Sequence, residues 1–178
     1  MNHGQLENKR VKEQIITAYF DLLAQKSPGS ITVTEIIKKA GVARTSYYRN
    51  FYQQDDIVEY YLKLLTERLP QPTDDIMTYQ NALQGFTNTL HAVRSEKKQF
   101  LLLYQTGYSQ LLQAFLLDNI FAIAGDMTVA DPEIYRLYFV TGAVYNLLIA
   151  WLERDTRETP EKLAAIAADY LTNGVLEK

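Results

Sequence analysis

The sequence predicts an all-α protein of about nine helices, and three observations carry that prediction. Apolar residues recur at spacings of three and four along nearly all of the 178 positions. No stretch alternates apolar and polar residues as a half-buried strand does. Only 8 Gly and 5 Pro are present, too few for the turns of a β-sandwich. Hydrophobic residues at 47% and charged residues at 22% are ordinary for a folded chain, and the length fits one or two compact domains.

The elements follow in order. Val11, Ile15, Ala18 and Leu22, with Tyr19 beside them, make a first helical stripe, which Ser27-Pro28-Gly29-Ser30 ends. Thr32-Val33-Thr34-Glu35 reads as a capping box opening a short helix that buries Val33, Ile36 and Ile37 and stops at Gly41. A second short helix runs from about Ala43 to Asn50. Asp55-Asp56 begins a longer one with Ile57, Tyr60, Tyr61, Leu64 and Leu65 on its inner face. Pro70 and Pro72 end it and form the one clear internal boundary. The expected division is therefore residues 1–52, a linking helix over 55–69, and residues 73–178. Ile76, Tyr79, Leu83, Phe86, Leu90 and Val93 then keep helical spacing. Further segments are expected at about 97–105, 109–124 and 132–154, punctuated by Gly107, Gly125 and Pro132. Thr159 caps a last helix with Pro160 at its first position and Leu163, Ile166, Ala167 and Tyr170 on one face.

Composition excludes several function classes. Cysteine is absent, so disulfides, thiolate metal sites and cysteine nucleophiles are out, and the expected compartment is the cytoplasm. His3 and His91 are too few for a histidine metal site or triad. The acidic groups Asp55-Asp56, Asp74-Asp75 and Asp131-x-Glu133 sit at helix starts, where carboxylates suit the helix dipole. No catalytic residue, metal or cofactor is expected, and His91 reads as a structural group. Met1–Lys12 is polar and charged, unlike a signal peptide. The longest apolar run, Leu137–Leu152, is short of the roughly 20 residues of a membrane span and reads as a buried helix.

Charge is uneven. Residues 1–54 hold eight basic and four acidic groups, a net of +4, whereas residues 55–178 carry −7. Either the front of the chain meets a polyanion or the imbalance is a fluctuation of solvated surface charge. Within that front, two short helices meet at Ala40-Gly41-Val42, where Gly41 supplies a positive φ. This is the spacing of a helix-turn-helix, whose second helix enters the DNA major groove, although plain helical bundles also contain such pairs. The second helix has suitable outward chemistry. Arg44 can read guanine bidentately, Thr45 and Ser46 are short donors that permit close approach, and Tyr48 and Arg49 point to the DNA backbone. Phe51 turns into the core.

At these residues the chain resembles the DNA-binding domain of the TetR family of bacterial regulators. The resemblance rests on Arg10, Ile15, Ala18, Phe20, Thr32-Val33-Thr34-Glu35-Ile36, Ala40-Gly41-Val42, Thr45, Ser46, Tyr48, Phe51 and Asp56-Ile57, and spans about residues 9–58. It implies an all-helical homodimer that binds a palindromic operator in double-stranded DNA and usually takes a small effector, as a repressor commonly does. The implied DNA contacts are Thr32, Ala43, Arg44, Thr45, Ser46, Tyr48, Arg49 and Gln54. The chain departs from the family at Gln54, which stands where a phosphate-facing Lys is usual and releases no counterion. The C-terminal half resembles a diverged TetR variant through Gly142, Leu147, Leu148, Trp151, Leu152 and Pro160-Glu161. Some members of that group act through protein partners, so the alternative is a coregulator with weak DNA binding.

The helix over 132–154 is apolar nearly all round, which demands burial on every side. Either a symmetric partner covers it, with Val144, Leu147, Leu148, Trp151, Leu163 and Ala167 at the seam, or the chain buries it alone. Tyr79, Phe86, Tyr104, Tyr108, Phe115, Tyr135 and Tyr138 either line an effector cavity or are plain core.

Overall fold

The computed structural model describes residues 3–68, 78–124 and 131–175. Among the described residues there are nine α-helices and no strand. They are α1 (His3–Leu23), α2 (Val33–Ala40), α3 (Arg44–Asn50), α4 (Gln54–Thr66), α5 (Tyr79–Ser95), α6 (Lys97–Gln105), α7 (Ser109–Ala124), α8 (Asp131–Glu153) and α9 (Pro160–Asn173). The all-α expectation holds. The proline boundary at Pro70 and Pro72, and with it Ile76 and Gly125, lies outside the described residues.

Local chemistry sets most of the ends. The Thr32 hydroxyl accepts from the Glu35 amide at 3.3 Å, and the Glu35 carboxylate accepts from the Thr32 amide at 2.9 Å. That reciprocal pair opens α2, and Gly41 closes it in the left-handed region at φ 66°. Thr159 caps α9 through the Lys162 amide at 3.3 Å, with Pro160 at the first position. Three details differ from the periodicity. α1 begins at His3, two turns before the apolar stripe starts at Val11, in an exposed stretch that carries an Arg10–Glu7 pair at 2.6 Å. Pro28–Ser30 is a 3-10 turn rather than an open loop. α4 starts at Gln54, because Asp56 accepts from the Tyr52 and Gln53 amides at 2.7 and 3.1 Å and so caps the helix from its third position.

One hydrophobic cluster runs from Ile15 on α1, through Ile36, Tyr47, Ile57 and Leu103, to Trp151 and Leu163. α1, α2 and α3 pack together, and α4 joins them to α7. In the C-terminal half α9 lies mainly along α5, and α8 along α7. This pairing corrects the expected dimer seam. Leu148, Trp151, Leu163 and Ala167 are buried within a single chain, and Val144 and Leu147 are half-buried against the same core. The Trp151 indole N–H also donates to the Glu158 carbonyl at 3.0 Å. The face of α8 left open is another one: Tyr135, Phe139, Ala143, Asn146 and Ala150 succeed each other at helical spacing and are all exposed. His91 reaches Glu161 at 2.7 Å and so links α5 to α9.

Candidate nucleic-acid interface

α3 is a seven-residue helix held on α1 and α2 by one buried face and bare on the other. Tyr47 is its anchor, 0% exposed and in edge contact with Tyr48 at 5.3 Å and tilted contact with Phe51 at 6.2 Å. Sequence reasoning missed Tyr47, because neighbouring tyrosines give no sign of which one turns inward. Its hydroxyl is enclosed without a hydrogen-bond partner, and burial pushes the phenol up to about 12.

The opposite face presents Arg44, Thr45, Tyr48 and Arg49, all exposed. Arg44 stacks over the Tyr48 ring at 5.4 Å and its guanidinium donates to the Tyr48 hydroxyl at 3.4 Å. Neither Arg44 nor Arg49 enters a salt bridge among the described residues, whereas Lys26 and Lys39 are held by Glu35 and Asp21 at 2.6 and 3.1 Å. The two arginines therefore keep their charge available to an anion. Ala43 is the exposed N-cap and offers no side-chain cap. Ser46 is half-buried, and its carbonyl is taken by the Asn50 amide at 2.9 Å. Thr32 is exposed, with its hydroxyl engaged in the α2 cap and donating to Glu35 at 2.8 Å. Tyr52, not singled out in the sequence, stands 87% exposed just past α3.

Gln54 departs from expectation. Its side-chain amide donates to the Ile31 carbonyl at 2.6 Å and its oxygen accepts from the Tyr19 hydroxyl at 3.3 Å. The side chain is turned inward because two buried groups need a partner there, so it is not presented to a phosphate as the sequence implied.

The seven aromatics proposed for an effector do not converge. Tyr108 is buried and hydrogen-bonded to Tyr19, Phe86 and Tyr104 are half-buried against the core, and Tyr79, Tyr135 and Tyr138 are exposed. Phe115 lines an open concavity of about 420 Å³ between α4 and α7, which Glu59, Lys63 and Asp118 also face. Tyr138 lines a separate one of about 350 Å³ between α7 and α8, with Gln110, Gln113 and Gly142. α4 is tied to the C-terminal half at its far end too, where the Tyr61 hydroxyl and the Arg68 guanidinium both donate to Glu96 at 3.0 Å.

Two short helices joined by a left-handed glycine, the second bare and arginine-bearing, set on a larger helical body, define a class of helix-turn-helix regulators. Residues 80–173 match the TetR-type family described as transcriptional regulator C-terminal region, and the chain belongs to the TetR family of transcriptional regulators. The solved structure of "Dihydroxyacetone kinase operon activator DhaS" is similar in fold, with a TM-score of 0.61 and 14% identity, over 92% of this chain and 94% of that one. No curated protein sequence matches the chain. No helix of the described residues is long and apolar enough to cross a membrane.

Proposed function

We propose that the protein is a homodimer that reads a palindromic operator in double-stranded DNA with α2 and α3. Residues 1–52 form the reading unit, and residues 73–178 form the dimerisation and effector-binding unit. The observation that carries this reading is the outer face of α3, where Arg44, Thr45, Tyr48 and Arg49 are exposed together and the two cations are unpaired. Two such helices on a two-fold axis read half-sites about one helical turn apart. The apolar stripe Tyr135, Phe139, Ala143 and Ala150 supports assembly, because a second copy of α8 would cover it. Repression released by a small effector belongs to the same reading, with the α4–α7 concavity as the place of entry.

The test is selection of duplexes from a random pool, followed by affinity over a salt series. The expected result is a palindrome bound far more tightly than its scrambled version, with affinity falling as salt rises. Equal, weak binding to every duplex would favour a second reading, a coregulator that works through a protein partner. One observation supports that alternative: the start of α4 presents the exposed carboxylate of Asp55 and no cation, since Gln54 is neutral and turned inward. DhaS, the similar structure, is named an activator.

A further inference from the structure

A line of hydrogen bonds, buried at its centre and partly buried at Gln54, connects the C-terminal half to the start of α2. Tyr108 follows Gly107, whose φ of 98° lets the chain turn sharply between α6 and α7. The Tyr108 amide donates back to the Leu103 carbonyl at 3.0 Å, so the turn is closed and the ring is aimed inward, 7% exposed. There it meets Tyr19 of α1 edge-on, with ring centres 6.5 Å apart, and the two hydroxyls are hydrogen-bonded across 89 positions of sequence. The Tyr19 hydroxyl donates to the Gln54 oxygen at 3.3 Å, and the Gln54 amide donates to the Ile31 carbonyl at 2.6 Å. Either phenol can be the donor between Tyr19 and Tyr108, and the Asp55 carboxylate at the start of α4 also bonds to the Tyr108 hydroxyl. Ile31 is the residue before the Thr32 cap of α2.

We propose that Tyr108 is a positioning residue for the DNA-reading unit: through Tyr19 and Gln54 it fixes the start of α2, and hence the seat of α3, from the C-terminal half. A pair of phenylalanines would fill the same space, but a ring has no direction of bonding to transmit. A hydroxyl chain holds each group at one distance and angle from the next, and removing one hydroxyl takes away a bond that fixes its neighbour. The chain also gives Gln54 a role in a place where the family implies a phosphate contact. Burial pushes both phenols well above their ordinary value, so both keep their protons through the neutral range.

The test uses the full chain with Tyr108→Phe, Tyr19→Phe and the double variant. Two quantities are read well below the unfolding temperature: hydrogen exchange of the peptide covering residues 31–37, and operator affinity. The affinity arm rests on the DNA-binding reading above, and the exchange arm does not. Losing one buried hydrogen bond corresponds to roughly a tenfold change. Tyr108→Phe should speed exchange over 31–37 about tenfold and weaken operator binding by a similar factor, with helix content unchanged. The double variant should cost no more than Tyr19→Phe alone, since losing the Tyr19 hydroxyl already breaks the line on both sides. Leu163→Val, which trims the core between α9 and α5, should lower the unfolding temperature without changing either quantity. Unchanged exchange over 31–37 in Tyr108→Phe, additive effects in the double variant, or the same changes in Leu163→Val would each overturn the proposal. A wild type that binds no duplex would remove the DNA-binding reading, and the exchange result would still decide the role of Tyr108.

Discussion

Phe139→Asp separates the two faces of α8. Phe139 is 71% exposed in the single chain, in the stripe that runs from Tyr135 to Ala150. Fully burying a phenylalanine is worth about 1.5–3 kcal/mol, so covering this one in a dimer gains about 1–2 kcal/mol per copy. Two-fold symmetry counts it twice, giving about 2–4 kcal/mol, or roughly 30- to 1000-fold in the dimer dissociation constant. Leu148, by contrast, is 3% exposed and belongs to the chain's own core. Leu148→Asp loses packing worth about 2–5 kcal/mol and buries an unpaired carboxylate at a cost of several more. Against a total stability of about 5–15 kcal/mol, that variant should fail to fold. Sedimentation over a concentration series, with thermal unfolding of each variant beside it, reads both effects. Phe139→Asp should stay helical, unfold near the wild-type temperature at low concentration, and shift to monomer. A wild type that sediments as a monomer at micromolar concentration, or a Phe139→Asp dimer of unchanged affinity, would refute the assignment of this face.

The remaining predictions concern the reading unit. Arg44→Ala should cost about 1–3 kcal/mol on the selected operator and relax its base preference, measured on selected and scrambled duplexes; equal losses on both would make Arg44 a phosphate contact. Tyr47→Phe removes a buried hydroxyl that has no partner, so denaturant unfolding should show a gain of about 1 kcal/mol, near 2–4 °C in Tm; a loss would mean that the hydroxyl is bonded. Gly41→Ala forces a side chain into the left-handed region at φ 66° and should cost about 1 kcal/mol, visible as earlier thermal unfolding. The Lys26 ammonium, and then the Thr32 amide and hydroxyl, hold the Glu35 carboxyl at about 2 against an ordinary 4.5. A lowered acid stabilises the fold above its unfolded value, so that contribution is complete above about pH 4.5 and is lost as pH falls towards 2. Titration of Glu35 by NMR in Lys26→Ala should show its midpoint moving up towards the ordinary value.

The sequence by itself determined what depends on groups within a turn of one another. The Thr32–Glu35 cap, the left-handed Gly41, the Thr159-Pro160 start and the helical spacing of the described segments all act over four residues or fewer, and the structure realises each of them. Only the tertiary structure decided which way side chains turn when the local pattern has no phase. α8 is apolar nearly all round, so its spacing cannot say which side faces inward; the packing of α8 on α7, and of α9 on α5, put Leu148 and Trp151 inside and left Tyr135 and Phe139 outside. Tyr47 and Tyr48 are adjacent and chemically identical, and only packing into the shared core makes one the anchor and the other the exposed group. Gln54 and Tyr108 are the furthest from legible. Each turns inward to satisfy a buried polar group that lies 23 or 89 residues away, and a requirement of that kind exists only once the chain has folded.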